Sequence, residues 1–228
     1  EYVDIHFATK RTGPRSTHGY FPPPITDEAR SRLRRARAAY LMPDATPDRV
    51  FATETRDGPL ADLAATRALR AELSDWLEKN GVRRLVDAGC GSFHWLAHAD
   101  LDMLESYVGC DILPEVIDAN QRLHGQRGNV LFALKDVVSA PLPACDAILC
   151  RNLLYLMPAG DGLAAIANFR ASGARWLIAS TWPGSTEADS GEIETLTDLS
   201  VAATGLGKPV MTLTDTSGMS LGIWSLRT

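Results

Sequence analysis

The 228-residue chain is poor in the features that mark secreted, membrane-spanning or nucleic-acid-coating proteins. Its four cysteines, Cys90, Cys110, Cys145 and Cys150, show no C-x-x-C spacing and lie mostly in apolar segments. That pattern argues against a disulfide framework and a zinc site, and for reduced thiols in a core. No uninterrupted apolar run approaches the ~20 residues that span a bilayer. Positive charge is not in excess: 23 Lys and Arg against 28 Asp and Glu leave a net charge of −5. The electrostatic footprint of a general DNA or RNA binder is therefore missing. Lysine is scarce, with 4 against 19 arginines, and alanine is abundant, which fits a bacterial source. No secretory leader is visible, although the chain begins at Glu1 rather than Met and a segment upstream can be missing; the reduced cysteines give the expectation of a cytoplasmic protein. Neither an internal repeat nor a low-complexity tract is present. What the chain does have is 45% hydrophobic residues, enough for one sizeable core and too many for wholesale disorder.

Length favours one α/β domain carrying an extension. Residues 1–55 read as that extension, a possible lid, and residues 56–228 as the domain. Within the extension, Tyr20-Phe21-Pro22-Pro23-Pro24 cannot be a helix interior, because each Pro removes a donor and restricts its predecessor. Thr26 has the chemistry of an N-cap, with Asp27 and Glu28 in the first turn. A helix over 27–40 follows, with Arg30, Arg32, Arg34, Arg35 and Arg37 expected on a solvated face, or else against an anionic ligand or partner. A second helix is expected from Pro59 to Lys79, with Leu63, Leu69, Leu73, Trp76 and Leu77 inward and Gly81 past its end.

From residue 83 short apolar strands alternate with helical segments. Strands are expected at 83–87, 107–111, 130–134, 146–150 and 175–181, with helices after the first glycine turn and at 113–124 and 161–170. A loop at 182–191, a helix at 192–202 and a hairpin of strands 210–214 and 220–226 complete the reading. Such alternation specifies a doubly wound, mostly parallel seven-stranded sheet of Rossmann-like type, ended by an antiparallel hairpin.

The most informative stretch is Leu85-Val86-Asp87-Ala88-Gly89-Cys90-Gly91-Ser92, a strand running into a tight glycine turn. Glycines let a backbone approach a ligand closely, and open α/β sheets bind ligands outside the carboxyl ends of their strands. A dinucleotide would ask for G-x-G-x-x-G, but the third glycine position holds His94. An acid, Asp111, ends the second strand where ribose hydroxyls would be met, although dinucleotide folds place an acid there too.

With these residues the sequence resembles the class I S-adenosylmethionine (SAM)-dependent methyltransferases over about residues 50–228. Asp87-Ala88-Gly89-Cys90-Gly91 is similar to their first motif, and Asp111 to their ribose acid. Lys135-Asp136-Val137 resembles the segment whose acid meets the adenine amino group. The run from Cys145 to Tyr155 resembles the fourth-strand motif and its loop. A narrower likeness, to a bacterial subgroup, runs through Cys90 to Leu96, Arg151 to Met157 and Phe169 to Trp182. There Asn152, Leu156 and His94 depart from the subgroup's residues, so the cofactor side looks retained and the acceptor side changed.

The resemblance implies SAM as cofactor, held by Asp87, Gly89, Gly91, Asp111, Ile112, Asp136, Val137, Arg151 and Asn152. Arg70, or less favourably Arg56, is placed to pair with the methionine carboxylate, because a bidentate guanidinium suits it. His94 is the candidate general base and Tyr155 a second catalytic candidate, with Trp95, Trp182 and Asp189 as acceptor-side walls and His18 and Tyr20 as lid residues. No His, Asp and Glu grouping suggests a metal. The expected partner is a small-molecule acceptor in bacterial specialised metabolism, methylated on O or N, with no nucleic acid and no membrane. An NAD-type oxidoreductase and a methyltransferase-like binding protein without turnover are the alternatives.

Overall fold

The computed structural model describes residues 26–40, 61–183, 195–216 and 219–227. His18, Tyr20, Arg56 and Asp189, and the boundary drawn at residue 55, lie outside the described residues.

Seven strands form one sheet: β1 (Arg84–Ala88), β2 (Ser106–Asp111), β3 (Val130–Leu134), β4 (Ala147–Cys150), β5 (Trp176–Thr181), β6 (Met211–Thr214) and β7 (Ser220–Ser225). Their order is β3-β2-β1-β4-β5-β7-β6. The first five strands run parallel, while β7 is antiparallel to both β5 and β6. The chain steps outward from β1 to β3 and then returns to β4 on the other side of β1. That reversal opens a crevice at the carboxyl ends of β1 and β4, where ligands of doubly wound sheets bind.

Both faces are covered because the strands alternate apolar side chains to both sides. Leu85, Tyr107, Leu149, Ile178 and Ile223 join one core layer beneath α2 (Arg67–Lys79), which contributes Leu69, Leu73, Trp76 and Leu77. Val86, Val108, Ile148, Leu177 and Trp224 join the other beneath α4 (Ala159–Ala171), which contributes Ala165, Ile166 and Phe169. Helix α3 (Pro114–His124) links β2 to β3 on the α2 side, where His124 meets Phe93 and Phe132. All four cysteines are buried and none is in a disulfide. Burial pushes Cys110 and Cys145 up to about 12, so both stay protonated and inert.

Several expectations about elements need correction. Helix α2 begins at Arg67, not at residue 59: Thr66 bonds back to the Asp62 carbonyl, and a turn occupies 62–66. Its far end is as read, closed by Gly81 N–H to Glu78 O and Val82 N–H to Leu77 O. The segment after the glycine turn forms only a 3-10 turn, Leu96–His98, before Ala99 turns extended. No helix covers 195–201, and a 3-10 turn, Ala202–Thr204, follows there.

The amino edge of the sheet is stitched by Asp146. Its Oδ2 accepts the amides of Arg83 and Arg84 at 3.0 and 2.8 Å, and its Oδ1 accepts the Arg84 guanidinium at 2.8 Å. Partial burial raises this carboxyl, but the Arg84 hydrogen bond and the two amides outweigh it and hold it below its ordinary range. A carboxyl lowered by folding stabilises above its unfolded pKa, and that contribution is lost as pH falls through the folded value. Asp146→Ala is therefore expected to cost about 1–3 kcal/mol at pH 7 and to flatten the acid limb of a stability–pH profile from urea unfolding. An unchanged acid limb contradicts this.

Candidate functional site

The site grows from the exit of β1. Gly89 and Gly91 have φ of +82° and +52°, so the chain reverses through conformations closed to most side chains. A Cβ on Gly89 would lie 2.8 Å from Leu153 Cδ2, which shows how tightly the segment after β4 abuts the turn. The Gly89 and Cys90 amides donate to the Cys110 carbonyl at 2.8 and 3.0 Å. Gly91 N–H donates to Asp111 Oδ2 at 3.2 Å, and Leu113 N–H to Asp111 Oδ1 at 3.0 Å. From α3, Asn120 donates to the Gly91 carbonyl at 2.7 Å. Asp87, Gly89, Gly91, Asp111 and Ile112 thus share one ledge formed by the exits of β1 and β2.

Among the described residues two that are not glycine also carry positive φ, Phe93 at +59° and Asn152 at +58°. A phenylalanine in that region is strained and persists only where packing dictates it. Phe93 is fully buried against Tyr107, Phe132 and His124, with ring centroids 4.7, 5.3 and 5.1 Å away. Asn152 turns the chain away from β4, its N–H donating to Ser180 Oγ at 3.0 Å. The Tyr107 phenol donates to Asp87 Oδ2 at 2.8 Å, and burial, then the Asp87 charge, raises that phenol well above its ordinary value. It stays a donor, and it fixes the Asp87 carboxylate under the glycine turn.

Arg151 is more deeply engaged than the sequence suggests. Its Nε and Nη2 fork onto Asp215 Oδ2 and Oδ1 at 2.8 and 2.7 Å. The two side chains are only 4% and 0% exposed. Its guanidinium also lies over the Trp95 ring, 4.7 Å from the centroid. Half-buried nearby is the edge-to-face pair of Tyr155 and Trp182, 5.5 Å apart, at the exits of β4 and β5. Burial raises the Tyr155 phenol, with Arg151 opposing and Asp215 adding to the shift. His94 lies on the turn with its Nε2 buried and without a hydrogen-bond partner. The structure thus brings Trp95, Arg151, Tyr155 and Trp182 to the β1, β4 and β5 exits. Arg70 is placed differently: its Nη1 donates to the Leu63 carbonyl and the Thr66 hydroxyl at 3.0 and 2.5 Å, within the entry to α2.

The expectation of a solvated arginine face on α1 (Asp27–Tyr40) is overturned for Arg32, only 13% exposed, while Arg35 and Arg37 stay exposed but are also paired. Arg32 pairs with Asp136 at 2.7 Å and with Asp161 at 3.4 Å, Arg35 with Asp161 at 2.8 Å, and Arg37 with Glu115 at 2.6 Å. The three acids follow β3, β4 and β2, so α1 is tied to segments emerging from the carboxyl edge. The reason is long-range charge complementarity, invisible in a local pattern. The expected N-cap is present, with Thr26 Oγ1 accepting Ala29 N–H at 3.2 Å. Asp136 itself is heavily used: Oδ1 accepts Val138 N–H at 3.1 Å, and Oδ2 accepts Ser139 Oγ and Arg32 Nε at 2.8 and 2.9 Å. Val137 beside it is buried in the α4-side core.

Sequence reasoning missed Asp215 and Arg32. Asp215 was visible only as an acid in a hairpin turn, where solvent exposure is the ordinary fate. Among the described residues no group of three or more His, Cys, Asp or Glu could hold a metal, and no helix is long and apolar enough to cross a membrane.

No protein-family model matches the sequence, and no curated protein matches it. Solved structures do match the fold. The N-methyltransferase NodS from Bradyrhizobium japonicum WM9, in complex with S-adenosyl-L-homocysteine, superposes with a TM-score of 0.59 at 17% identity over 80% of this chain and 97% of its own. The methyltransferase domain of bacterial CtHen1-C gives 0.56 at 15% identity over 73% and 100%. Magnesium protoporphyrin IX methyltransferase (ChlM) from Synechocystis PCC 6803, with bound SAM, gives 0.51 at 15% identity over 90% and 99%. The fold is that of the class I SAM-dependent methyltransferases, as the resemblance implied.

Arg32 and Asp136 are 13% and 12% exposed, so this pair is screened less than an ordinary surface ion pair. Arg32→Ala is expected to raise amide hydrogen exchange across residues 27–40 several-fold while leaving β1, β4 and β5 protected. Unchanged exchange in that helix contradicts the tie.

Proposed function

We propose that the chain is a SAM-dependent methyltransferase acting on an O or N nucleophile of a small-molecule acceptor, in the cytoplasm and in bacterial specialised metabolism. The observation that carries this reading is the glycine turn held against Asp111 at the point where the strand order reverses. The fit to the cofactor is supported by a turn carried on two glycines at positive φ and by an acid joining the β1 and β2 exits. His94 Nε2, buried and unpartnered, adds a polar atom that a ligand could satisfy.

One specific observation disfavours the dinucleotide alternative. A pyrophosphate is held at the N-terminus of a full helix after the glycine turn. This chain has only the three-residue 3-10 turn Leu96–His98 there, and His94 at the third glycine position.

When bound, SAM supplies a methyl group already activated on a sulfonium. The protein's task is then placement and exclusion of water, and positioning of this kind can supply about 7–11 kcal/mol of the barrier. In this reading the backbone of Gly89 and Gly91 lets the methionine end cross the turn, and Asp87 orients it from below. Asp111 accepts the ribose hydroxyls, because a carboxylate has about four acceptor positions and can serve backbone and ligand together. Ile112, Asp136 and Val137 border the adenine, with Arg32 of α1 as their neighbour and α1 as a cover over that end. Arg151 and Asn152 border the methionine end, with Arg70 a weaker candidate given its bonds within the α2 entry. Trp95, Tyr155 and Trp182 wall the acceptor side. The raised Tyr155 phenol serves as a hydrogen-bond donor near neutral pH, leaving His94 as the proton acceptor where the nucleophile must lose a proton. The acidic net charge and the covering helix favour a small acceptor over nucleic acid.

Asp111→Ala is expected to fold and to lose the thermal stabilisation that S-adenosylhomocysteine gives the unaltered protein, about 2.7 kcal/mol at a hundredfold excess over Kd. A variant stabilised as much as the parent contradicts the site.

A further inference from the structure

The buried Arg151–Asp215 pair has a consequence for which form of the cofactor the site prefers. A guanidinium keeps its charge in any protein environment. Here it is almost fully buried, at the exit of β4, with the Trp95 ring on one side and the Asp215 fork closing it. The segment it begins presses on the glycine turn, since a Cβ on Gly89 would strike Leu153. Asp215 comes from the far end of the chain, from the turn after β6, where its Oδ1 also accepts the Thr216 amide at 2.6 Å. Three separate segments are therefore locked around one neutralised cation that borders the glycine turn.

We infer that Asp215 is a positioning residue for Arg151 and that, by neutralising the guanidinium, it sets the balance between methyl donor and demethylated product. The inference rests on the methyl-donor reading above. SAM carries a positive sulfonium, whereas S-adenosylhomocysteine carries a neutral thioether and is otherwise the same ligand. An unbalanced cation beside the glycine turn repels the first and leaves the second untouched. A purely structural role for the pair would weaken both ligands alike.

The test is calorimetric titration of the full chain with SAM and with S-adenosylhomocysteine at pH 8. It uses the unaltered protein, Asp215→Asn and Arg151→Gln, each checked for folding by circular dichroism. Asp215→Asn leaves a positive imbalance and is expected to weaken SAM relative to S-adenosylhomocysteine by about tenfold. Arg151→Gln keeps a donor for Asp215 but leaves a negative imbalance, and is expected to shift the ratio toward SAM. The two opposite shifts keep the inference testable if one variant does not fold. An unchanged ratio in a folded variant overturns it while the methyl-donor reading stands. An unaltered protein that binds neither ligand overturns both.

Discussion

The Asp111 carboxylate holds two loops in place at once. One oxygen takes the Gly91 amide and the other takes the Leu113 amide, so the turn after β1 and the entry to α3 share one anchor. Everything at the carboxyl edge depends on that junction. It joins the exits of β1 and β2, and it stands beside the β1–β4 crevice that the strand order opens. Asn120 closes the arrangement from α3 by holding the Gly91 carbonyl. The strain at Phe93 is absorbed one residue group further on, where Tyr107, Phe132 and His124 enclose the ring.

Charge organises the rest of that edge. The acids that follow β2, β3 and β4 face the arginines of α1, so a helix from the first forty residues is drawn over the edge. The most deeply buried pair, Arg151 and Asp215, instead ties the terminal hairpin to the β4 exit. Burying two charges is costly unless the geometry is excellent, and such a pair adds little stability over apolar residues of the same shape. A fork closed by both carboxylate oxygens, stacked on a tryptophan beside the glycine turn, fits a role in the site better than a role in stability.

The parts legible in the sequence are those with local causes. Alternating apolar residues placed all seven strands within a residue or two, and Gly89, Gly91 and Asp111 marked the ledge, because a glycine turn after a buried strand has few other uses. The less legible parts have distant causes. Arg32 read as solvated because its partners, Asp136 and Asp161, are 104 and 129 residues away in sequence. Asp215 read as a turn residue for the same reason. The segment after Gly91 read as a helix, yet it forms a short 3-10 turn because Phe93 is held at positive φ and the chain turns extended at Ala99. The late start of α2 is a competition in which the Asp62 turn, capped by the Thr66 hydroxyl, wins over helix.

The central claim is that this ledge binds a sulfonium nucleoside and not a dinucleotide. It is tested most directly by calorimetric titration of the purified chain with S-adenosylhomocysteine and, in parallel, with NADH. Micromolar or tighter binding of S-adenosylhomocysteine with no binding of NADH is the predicted result. Binding of NADH alone, or of neither, contradicts the account and leaves only the fold.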